Sequence, residues 1–183
     1  MATYNGFKSF DHLGNNGKGD GFRDYPSQTQ INVANRWNYE VHDGLCSQTL
    51  INYTHEDRLG GQMAFTKDME GSDSIYGLGG TVDRVHFFTK NGAPIGNTSS
   101  FGTQLSATYF KQDAFYGLSN YEGVETDVYA NALVNTMVRG GHNVDFGASF
   151  RYTDLEENLY STPYIGANQF ISNLQEGYLR ANF

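Results

Sequence analysis

The chain has 183 residues, one cysteine, three prolines and a formal net charge of −8. This length suffices for one domain, and the acidic balance argues against nucleic acid as a partner. Thirteen tyrosines and thirteen phenylalanines exclude the aromatic-poor composition of disordered chains. High aromatic and glycine content with only 38% hydrophobic residues suits a β protein in which alternate residues are apolar, as in outer-membrane barrels.

No apolar run approaches the roughly 18 residues that a membrane-spanning helix needs. The first residues, MATYNGFKSF, lack the charged and apolar regions of a signal peptide. We therefore expect a chain that is mature, cytoplasmic or a piece of a longer protein. Cys46 is the single cysteine, which excludes an internal disulfide.

Alternation of apolar and polar residues predicts the first strands. The segment ATYNGFKSF suggests an opening strand, and a glycine-rich loop, DHLGNNGKGDGFRDYPS, follows it. The next segment, INVANRWNYEV at 31–41, has Ile31, Val33 and Trp37 on one side and Arg36 on the other. Because successive side chains of a strand point to opposite faces, this segment has one apolar face and one polar face.

The same alternation recurs along the chain between turns and polar or glycine-rich stretches. Further strands are predicted at 45–56, 81–90, 101–110, 126–138, 144–152 and 176–183. Short turns are predicted at 42–44, 91–97 and 139–143, and long loops at 57–80, 111–125 and 153–175.

Strands joined alternately by short turns and long loops predict an all-β fold, an antiparallel transmembrane β-barrel of the outer membrane of a Gram-negative bacterium. The turns would be periplasmic and the long loops extracellular. The predicted strands suffice to cross a bilayer, which takes roughly 9–11 residues of tilted strand. On this interpretation Ile31, Val33, Trp37, Leu105 and Phe146 face lipid, and Arg36, Glu40, Arg84, Asp145 and Arg151 face the lumen.

A soluble β-sandwich or a lipocalin-like barrel is the alternative to a membrane barrel. In those folds the apolar faces turn inward, and alternation alone does not separate the two cases. The polar faces here are rich in Asn, Gln, Ser and Thr and poor in Lys and Glu. This composition favours a wet lumen over a soluble exterior.

Several segments resemble TonB-dependent outer-membrane receptors of the Bacteroidetes type. The likeness rests on NNGKGDGFRDYP, QINVANRWNYE and YTHEDRLGGQ, and later on SIYGLGGTVDRVHFFTKNG and QDAFYGLSNYEGVETDVYANALVN, and it covers about 14–152. Such receptors have a TonB box, a plug domain and a 22-stranded barrel. Seven or eight strands are predicted here without a plug-like segment, so we expect 1–183 to be an internal part of one barrel domain.

The resemblance implies energised uptake of a scarce ligand: a siderophore–metal chelate, haem, a corrinoid or a glycan. It implies no enzymatic activity and no cofactor in the barrel. The implied partners are the lipid bilayer, the missing plug domain and remaining strands, the TonB complex and, as a further candidate, a surface lipoprotein. The alternative is a self-contained eight-stranded outer-membrane barrel that acts as an adhesin, an anchor or a lipid enzyme.

Aromatic residues in the predicted loops are the candidates for ligand contact, while no residue pattern indicates catalysis or metal binding. The five histidines lack the spacing of metal ligands. The stretch at 15–24 resembles a calcium loop, but Lys18 stands where a ligand belongs. The ligand-binding candidates are Tyr116, Tyr121, Tyr160, Tyr164 and Phe170, and the calcium-like positions are Asn16, Asp20 and Asp24.

Overall fold

The described part of the chain forms one antiparallel β-sheet. The structure, a computed structural model, describes residues 1–8, 10–11, 19–41, 44–161 and 168–182, without the side chains of 161, 168–171, 178, 179, 181 and 182. Eight strands lie in the sheet in chain order. They are β1 (Ala2–Phe7), β2 (Ser27–Glu40), β3 (Cys46–Gly61), β4 (Gly77–Ile95), β5 (Ser99–Tyr116), β6 (Ser119–Val138), β7 (His142–Ser161) and β8 (Asn168–Asn182). The prediction of an all-β antiparallel fold is confirmed.

The strands are longer than the sequence pattern predicts. β4 to β7 have 18 to 20 residues each. The predicted loop at 111–125 is wrong, because β5 and β6 run through it and only Gly117 and Leu118 connect them. The predicted loop at 153–175 is likewise wrong over most of its length. Apolar and polar residues do not alternate regularly along these strand ends, so they lack the pattern by which strands are detected.

The connections differ between the two ends of the sheet. At one end, the turn end, residues 41–45, 96–98 and 139–141 connect the strands. At the other end, the loop end, two longer connections, 8–26 and 62–76, stand beside the two-residue turn between β5 and β6. The predicted alternation of short turns and long loops therefore holds for the first half of the chain and is wrong at 111–125.

The sheet has almost no hydrophobic core. Phe65 and Phe115, 2% and 4% exposed, are the only large apolar side chains buried among the described residues. The accessible surface is 12526 Å², whereas a globular protein of 20.4 kDa exposes about 8,800 Å². No second layer of the described chain covers either face of the sheet.

Both edges of the sheet are open within the described residues. β1 pairs with β2 alone and β8 pairs with β7 alone, so the sheet does not close on itself. Between these edges the pairing is one-to-one along each pair of strands. Such unpaired edges present free backbone donors and acceptors that a native protein must satisfy or shield.

The two buried phenylalanines attach the connection 62–76 to the sheet. Phe65 packs on Phe115 of β5 with ring centroids 5.7 Å apart. Gly77 and Gly79 make room for them: a Cβ at Gly77 would lie 2.3 Å from the Phe65 ring, and one at Gly79 would lie 2.9 Å from the Phe115 ring. A small apolar cluster therefore fixes this connection against β4 and β5.

Replacing Phe65 with alanine should detach the connection 62–76 without unfolding the sheet. Loss of a buried phenylalanine costs about 3–5 kcal/mol in protein cores, and here that cost falls on the connection. We expect faster tryptic cleavage after Lys67, which follows Phe65 by two residues. Met69→Ala, at a 36% exposed position of the same connection, is the control and should leave cleavage unchanged. Equal cleavage in both variants would contradict the assignment.

Candidate functional site

The pairing register divides the sheet into an apolar face and a polar face. Directly paired residues share a face, and Trp37, Thr49, Thr89, Leu105 and Ala130 form one such row across β2 to β6. Nineteen aromatic or aliphatic side chains on this apolar face are more than a third exposed: Tyr4, Ile31, Val33, Trp37, Tyr39, Ile51, Tyr53, Val85, Phe87, Ile95, Phe101, Leu105, Tyr109, Val128, Val138, Val144, Phe146, Phe150 and Tyr160.

The register also locates the residues that the sequence assigns to lipid and to lumen. All five predicted lipid-facing residues, Ile31, Val33, Trp37, Leu105 and Phe146, lie on the apolar face. All five predicted lumen-facing residues, Arg36, Glu40, Arg84, Asp145 and Arg151, lie on the opposite, polar face. The two sets thus occupy opposite surfaces of the sheet.

The apolar residues form a band that runs obliquely to the pairing rows. On β2 the band covers 31–39 and is centred on residue 35, whereas on β7 it covers 144–150 and is centred on residue 147, with Tyr160 lying apart near the loop end. Following the register from Asn35 across five strand pairs leads to Tyr152, five residues away from that centre. The band therefore shifts by one residue per strand, toward the turn end.

This shift corresponds to a tilt of the strands relative to the band. Strands lie about 4.8 Å apart and rise about 3.3 Å per residue. A shift of one residue per strand then corresponds to a tilt of about 35°. Barrel strands are tilted by about 35–45° from the barrel axis. The band therefore runs perpendicular to a barrel axis only if the strands are inclined to that axis as they are in a barrel wall.

In the middle of the sheet, from β3 to the part of β6 around Val128, side chains on the polar face are more shielded than those on the apolar face, whereas Leu133 and Met137 nearer the turn end of β6 are exposed on the polar face. Phe87, on the apolar face, is 37% exposed, whereas Phe88, the next residue and on the polar face, is half-buried. The same contrast separates Ile51 from Leu50, Tyr109 from Phe110, and Val128 from Tyr129. Since side chains crowd together on a concave surface, we infer that the sheet curves toward its polar face.

Hydrogen bonds cross the polar face between neighbouring strands. Arg151 Nε donates to Asp127 Oδ2 at 2.7 Å, and Thr153 Oγ1 donates to the same oxygen at 2.8 Å. Asn135 donates to Asp145. These contacts join β6 to β7. They give hydrogen-bond partners to polar side chains that are costly to shield from water when unpaired.

The other predicted lumen-facing residues, Arg36, Glu40 and Arg84, make fewer side-chain hydrogen bonds and ion pairs. Arg36 Nε donates to Asn38 Oδ1 at 3.3 Å. Within the described ranges, Glu40 and Arg84 form no ion pair and no side-chain hydrogen bond. Their charges are therefore open to solvent or to a further occupant of this face.

The predicted ligand-binding residues do not form one group. Tyr116 and Tyr121 lie on the polar face near the loop end, in β5 and β6 rather than in a loop. Tyr160 pairs with Asn120 and lies on the other face. Phe170 pairs with Leu159 in β8, with its side chain outside the description, and Tyr164 lies outside the described residues.

Tyr121 is held by a carboxylate. Its hydroxyl donates to Glu157 Oε1 at 2.7 Å across β6 and β7. Partial burial, this hydrogen bond and the negative charge of Glu157 raise the pKa of Tyr121 to about 12. The pair lies seven residues beyond the apolar band on β6, toward the loop end, and fixes a phenol on the polar face there.

Arg23, which is half-buried, holds the loop end together through hydrogen bonds. Arg23 Nη1 donates to the carbonyls of Gly60 and Gln62 at 3.3 and 3.0 Å, and its Nη2 donates to Met63 and Phe65 at 3.4 and 2.7 Å. The planar guanidinium has the several fixed donors that this arrangement requires. Arg23 therefore ties the connection 8–26 to the start of the connection 62–76. Sequence reasoning did not single out this residue.

The calcium-like positions have internal partners where they are described. Asp20 Oδ1 accepts from the backbone N–H of Phe22 at 2.9 Å. Asp11 Oδ2, outside the predicted set, accepts from the backbone N–H of Gly21 at 2.8 Å. Asp24 contributes its backbone N–H to Phe10, and Asn16 lies outside the described residues. Within the ranges described, no three His, Cys, Asp or Glu residues are grouped as metal ligands.

An aromatic cluster at the loop end was also missed by the sequence analysis. Phe7, Phe10 and Tyr25 contact one another with ring centroids 6.2 to 6.4 Å apart. Their positions flank the glycine-rich stretch, and aromatic residues on both sides of that stretch were the available signal. The grouping itself needs the pairing of β1 with β2.

Comparison with known proteins identifies no relative. A scan of family models, a search of curated proteins and a search of solved structures each found no match. In the part of the chain that the structure describes, no helix is long and apolar enough to cross a membrane.

Alkaline titration should detect the Tyr121–Glu157 pair. Because the folded-state pKa is raised, the hydrogen bond stabilises the fold below about pH 10, and its contribution is lost as the pH rises toward 12. Tyr121→Phe should remove one tyrosine from the latest-ionising step in near-ultraviolet absorbance. Glu157→Gln should move that step to lower pH. Tyr116→Phe is the control, and loss of the late step in that variant alone would refute the pairing.

Arg23→Lys should loosen the loop end, because an ammonium cannot donate to four separated carbonyls. Hydrogen bonds from charged groups contribute about 1.5–3 kcal/mol, so we expect the amides of Gln62, Met63 and Phe65 to exchange faster by about tenfold or more. Hydrogen exchange followed by mass spectrometry measures this. Arg139→Lys, at an exposed turn position, is the matched control. Unchanged protection at 62–65 in Arg23→Lys would show that the four contacts carry no stability.

Proposed function

We propose that these eight strands form part of the wall of a transmembrane β-barrel in the outer membrane of a Gram-negative bacterium. The apolar face contacts lipid, and the polar face lines an aqueous or protein-filled lumen. The observation that carries the proposal is the apolar band, which runs perpendicular to the barrel axis when the strands are tilted by about 35°. More specifically, we propose a TonB-dependent receptor that takes up a scarce ligand.

The exposed band favours lipid over water as its surroundings. Covering the exposed half of an average apolar side chain contributes about 1 kcal/mol. Such side chains follow one another along the apolar face from β2 to β7, and no described segment covers the band that they form. Exposed apolar patches of this extent mark contact with a partner or a membrane. A band that runs perpendicular to the barrel axis across six tilted strands matches the geometry of a bilayer.

The soluble alternative requires the apolar face to be the inner one. In a sandwich or a lipocalin-like barrel the apolar side chains would be the crowded ones. Here the polar face is the more shielded in the middle of the sheet, and Phe87, Ile51 and Tyr109 point to the open side. This direction of curvature supports an outward apolar face.

The open edges favour a larger barrel over a closed eight-stranded one. A transmembrane sheet needs every backbone group paired, and β1 and β8 each lack a second neighbour within the described residues. An arc of a 22-stranded barrel, as in the receptors that the sequence resembles, would supply those neighbours. The extension of β5, β6 and β7 beyond the band at the loop end fits an extracellular rim.

Spin labels at consecutive residues test the lipid assignment directly. In a Cys46→Ser background of the complete gene product in bilayers, Leu105→Cys should be accessible to oxygen and shielded from water-soluble relaxation agents. Ser106→Cys should show the reverse, because it lies on the polar face. The neighbouring pair Phe146→Cys and Asp145→Cys repeats the comparison on β7. Aqueous exposure at 105 and 146 would refute the proposal.

Refolding of the 183-residue chain separates the two barrel hypotheses. A closed eight-stranded barrel should refold in detergent as a heat-modifiable monomer, whereas an arc of a larger barrel should aggregate because its edges stay unpaired. A monodisperse protein without detergent would support the soluble alternative instead.

A further inference from the structure

Three aromatic rings form an exposed corner at the loop end. Phe7, Phe10 and Tyr25 are 46, 48 and 62% exposed. Their planes are inclined to one another by 66°, 88° and 53°. Together with Pro26 and Gln28 they line an open cavity of about 380 Å³. Exposed aromatic rings of this number in one place indicate a contact surface.

The corner opens on the polar face. Phe7 pairs with Gln28, and Gln28 pairs with Arg58, which lies on the polar face with Gly80 and Ala114. The rings are therefore separate from the apolar band that we assign to lipid. A further strand beside β1 would pair in the plane of the sheet and would leave this face uncovered.

The described lining residues carry free hydrogen-bonding groups and no formal charge. Within the described residues, the Gln28 amide and the Tyr25 hydroxyl have no hydrogen-bond partner. The nearest charges in register, Arg58 and Glu56, pair with each other. A ligand that fits this lining presents an apolar surface to the rings and polar groups to the amide and the hydroxyl.

We propose that Phe7, Phe10, Tyr25 and Gln28 form a binding subsite for a neutral saccharide. A sugar ring has C–H-rich faces that pack on aromatic rings, and hydroxyls around its edge that bond to amide and phenol groups. The inference rests on the proposed function in one respect, since it names the ligand class of that uptake receptor.

Other ligand chemistries fit the corner less well. A quaternary cation would gain from a nearby carboxylate, and an anionic catecholate would need a free Arg or Lys, but no charged side chain of the described residues lines the cavity. A flat macrocycle needs parallel walls and an axial ligand, whereas these rings are steeply inclined to one another. The cavity lies at the small end of the range for ligand sites, about 300–1,000 Å³, which suits one or two sugar rings.

Binding to defined probes tests the subsite. The complete gene product, in a detergent without a sugar headgroup, is titrated with cellohexaose, maltohexaose and mannohexaose by calorimetry and saturation-transfer NMR. At least one should bind, and Phe10→Ala and Tyr25→Ala should each weaken it about tenfold or more, as expected for loss of an aromatic contact at a binding site. Gln28→Ala should weaken binding less. Tyr4→Ala, on the same strand but the opposite face, should not change it.

Specific outcomes would overturn the inference. The first is the absence of binding to all three oligosaccharides. The second is an affinity of Phe10→Ala and Tyr25→Ala equal to that of the unmodified protein. The third is binding of tetraethylammonium or catechol that the same two variants abolish. The spin-label comparison of residues 105 and 106 keeps the two proposals separate. Lipid exposure at 105 without saccharide binding would refute the subsite alone, and saccharide binding with aqueous exposure at 105 would refute the membrane wall alone.

Discussion

Backbone hydrogen bonding between neighbouring antiparallel strands is the constraint on which this structure depends. One-to-one pairing from β2 to β7 fixes the face of each side chain, and a slip of one residue would exchange the two faces. Because the apolar side chains have no described layer to pack against, the sheet gains little from a core of its own. Its surroundings must provide the stabilisation that a globular protein obtains from its interior.

The two ends of the sheet have different roles in the proposed barrel. At the turn end, short connections return the chain with little additional structure. At the loop end, Arg23 and Phe65 join two connections into a fixed arrangement, while the aromatic corner and Tyr121 lie on the polar face nearby. In the proposed barrel the wall would position these groups for recognition, as rigid scaffolds commonly do for loops that carry function.

The sequence predicted the strands best where they alternate between apolar and polar residues. The segments around Trp37, Leu105 and Phe146 were placed correctly in strands because one face of each is apolar. The segments 111–125 and 153–161 were predicted as loops because apolar and polar residues do not alternate regularly there, so only pairing with neighbouring strands defines them. Of the residues predicted to bind ligand, Tyr116 and Tyr121 lie on the polar face and Tyr160 lies on the other, because the face of each follows from pairing that the sequence does not reveal.

The sequence by itself determined the all-β class and which residues of the alternating strands share a face, because these follow from a local period of two residues. Only the tertiary structure decided the register, the tilt of the apolar band, the curvature toward the polar face and the meeting of Phe7, Phe10 and Tyr25. Those features depend on which residues of distant segments become neighbours, and the local alternation of a strand holds no information about its partner's alignment.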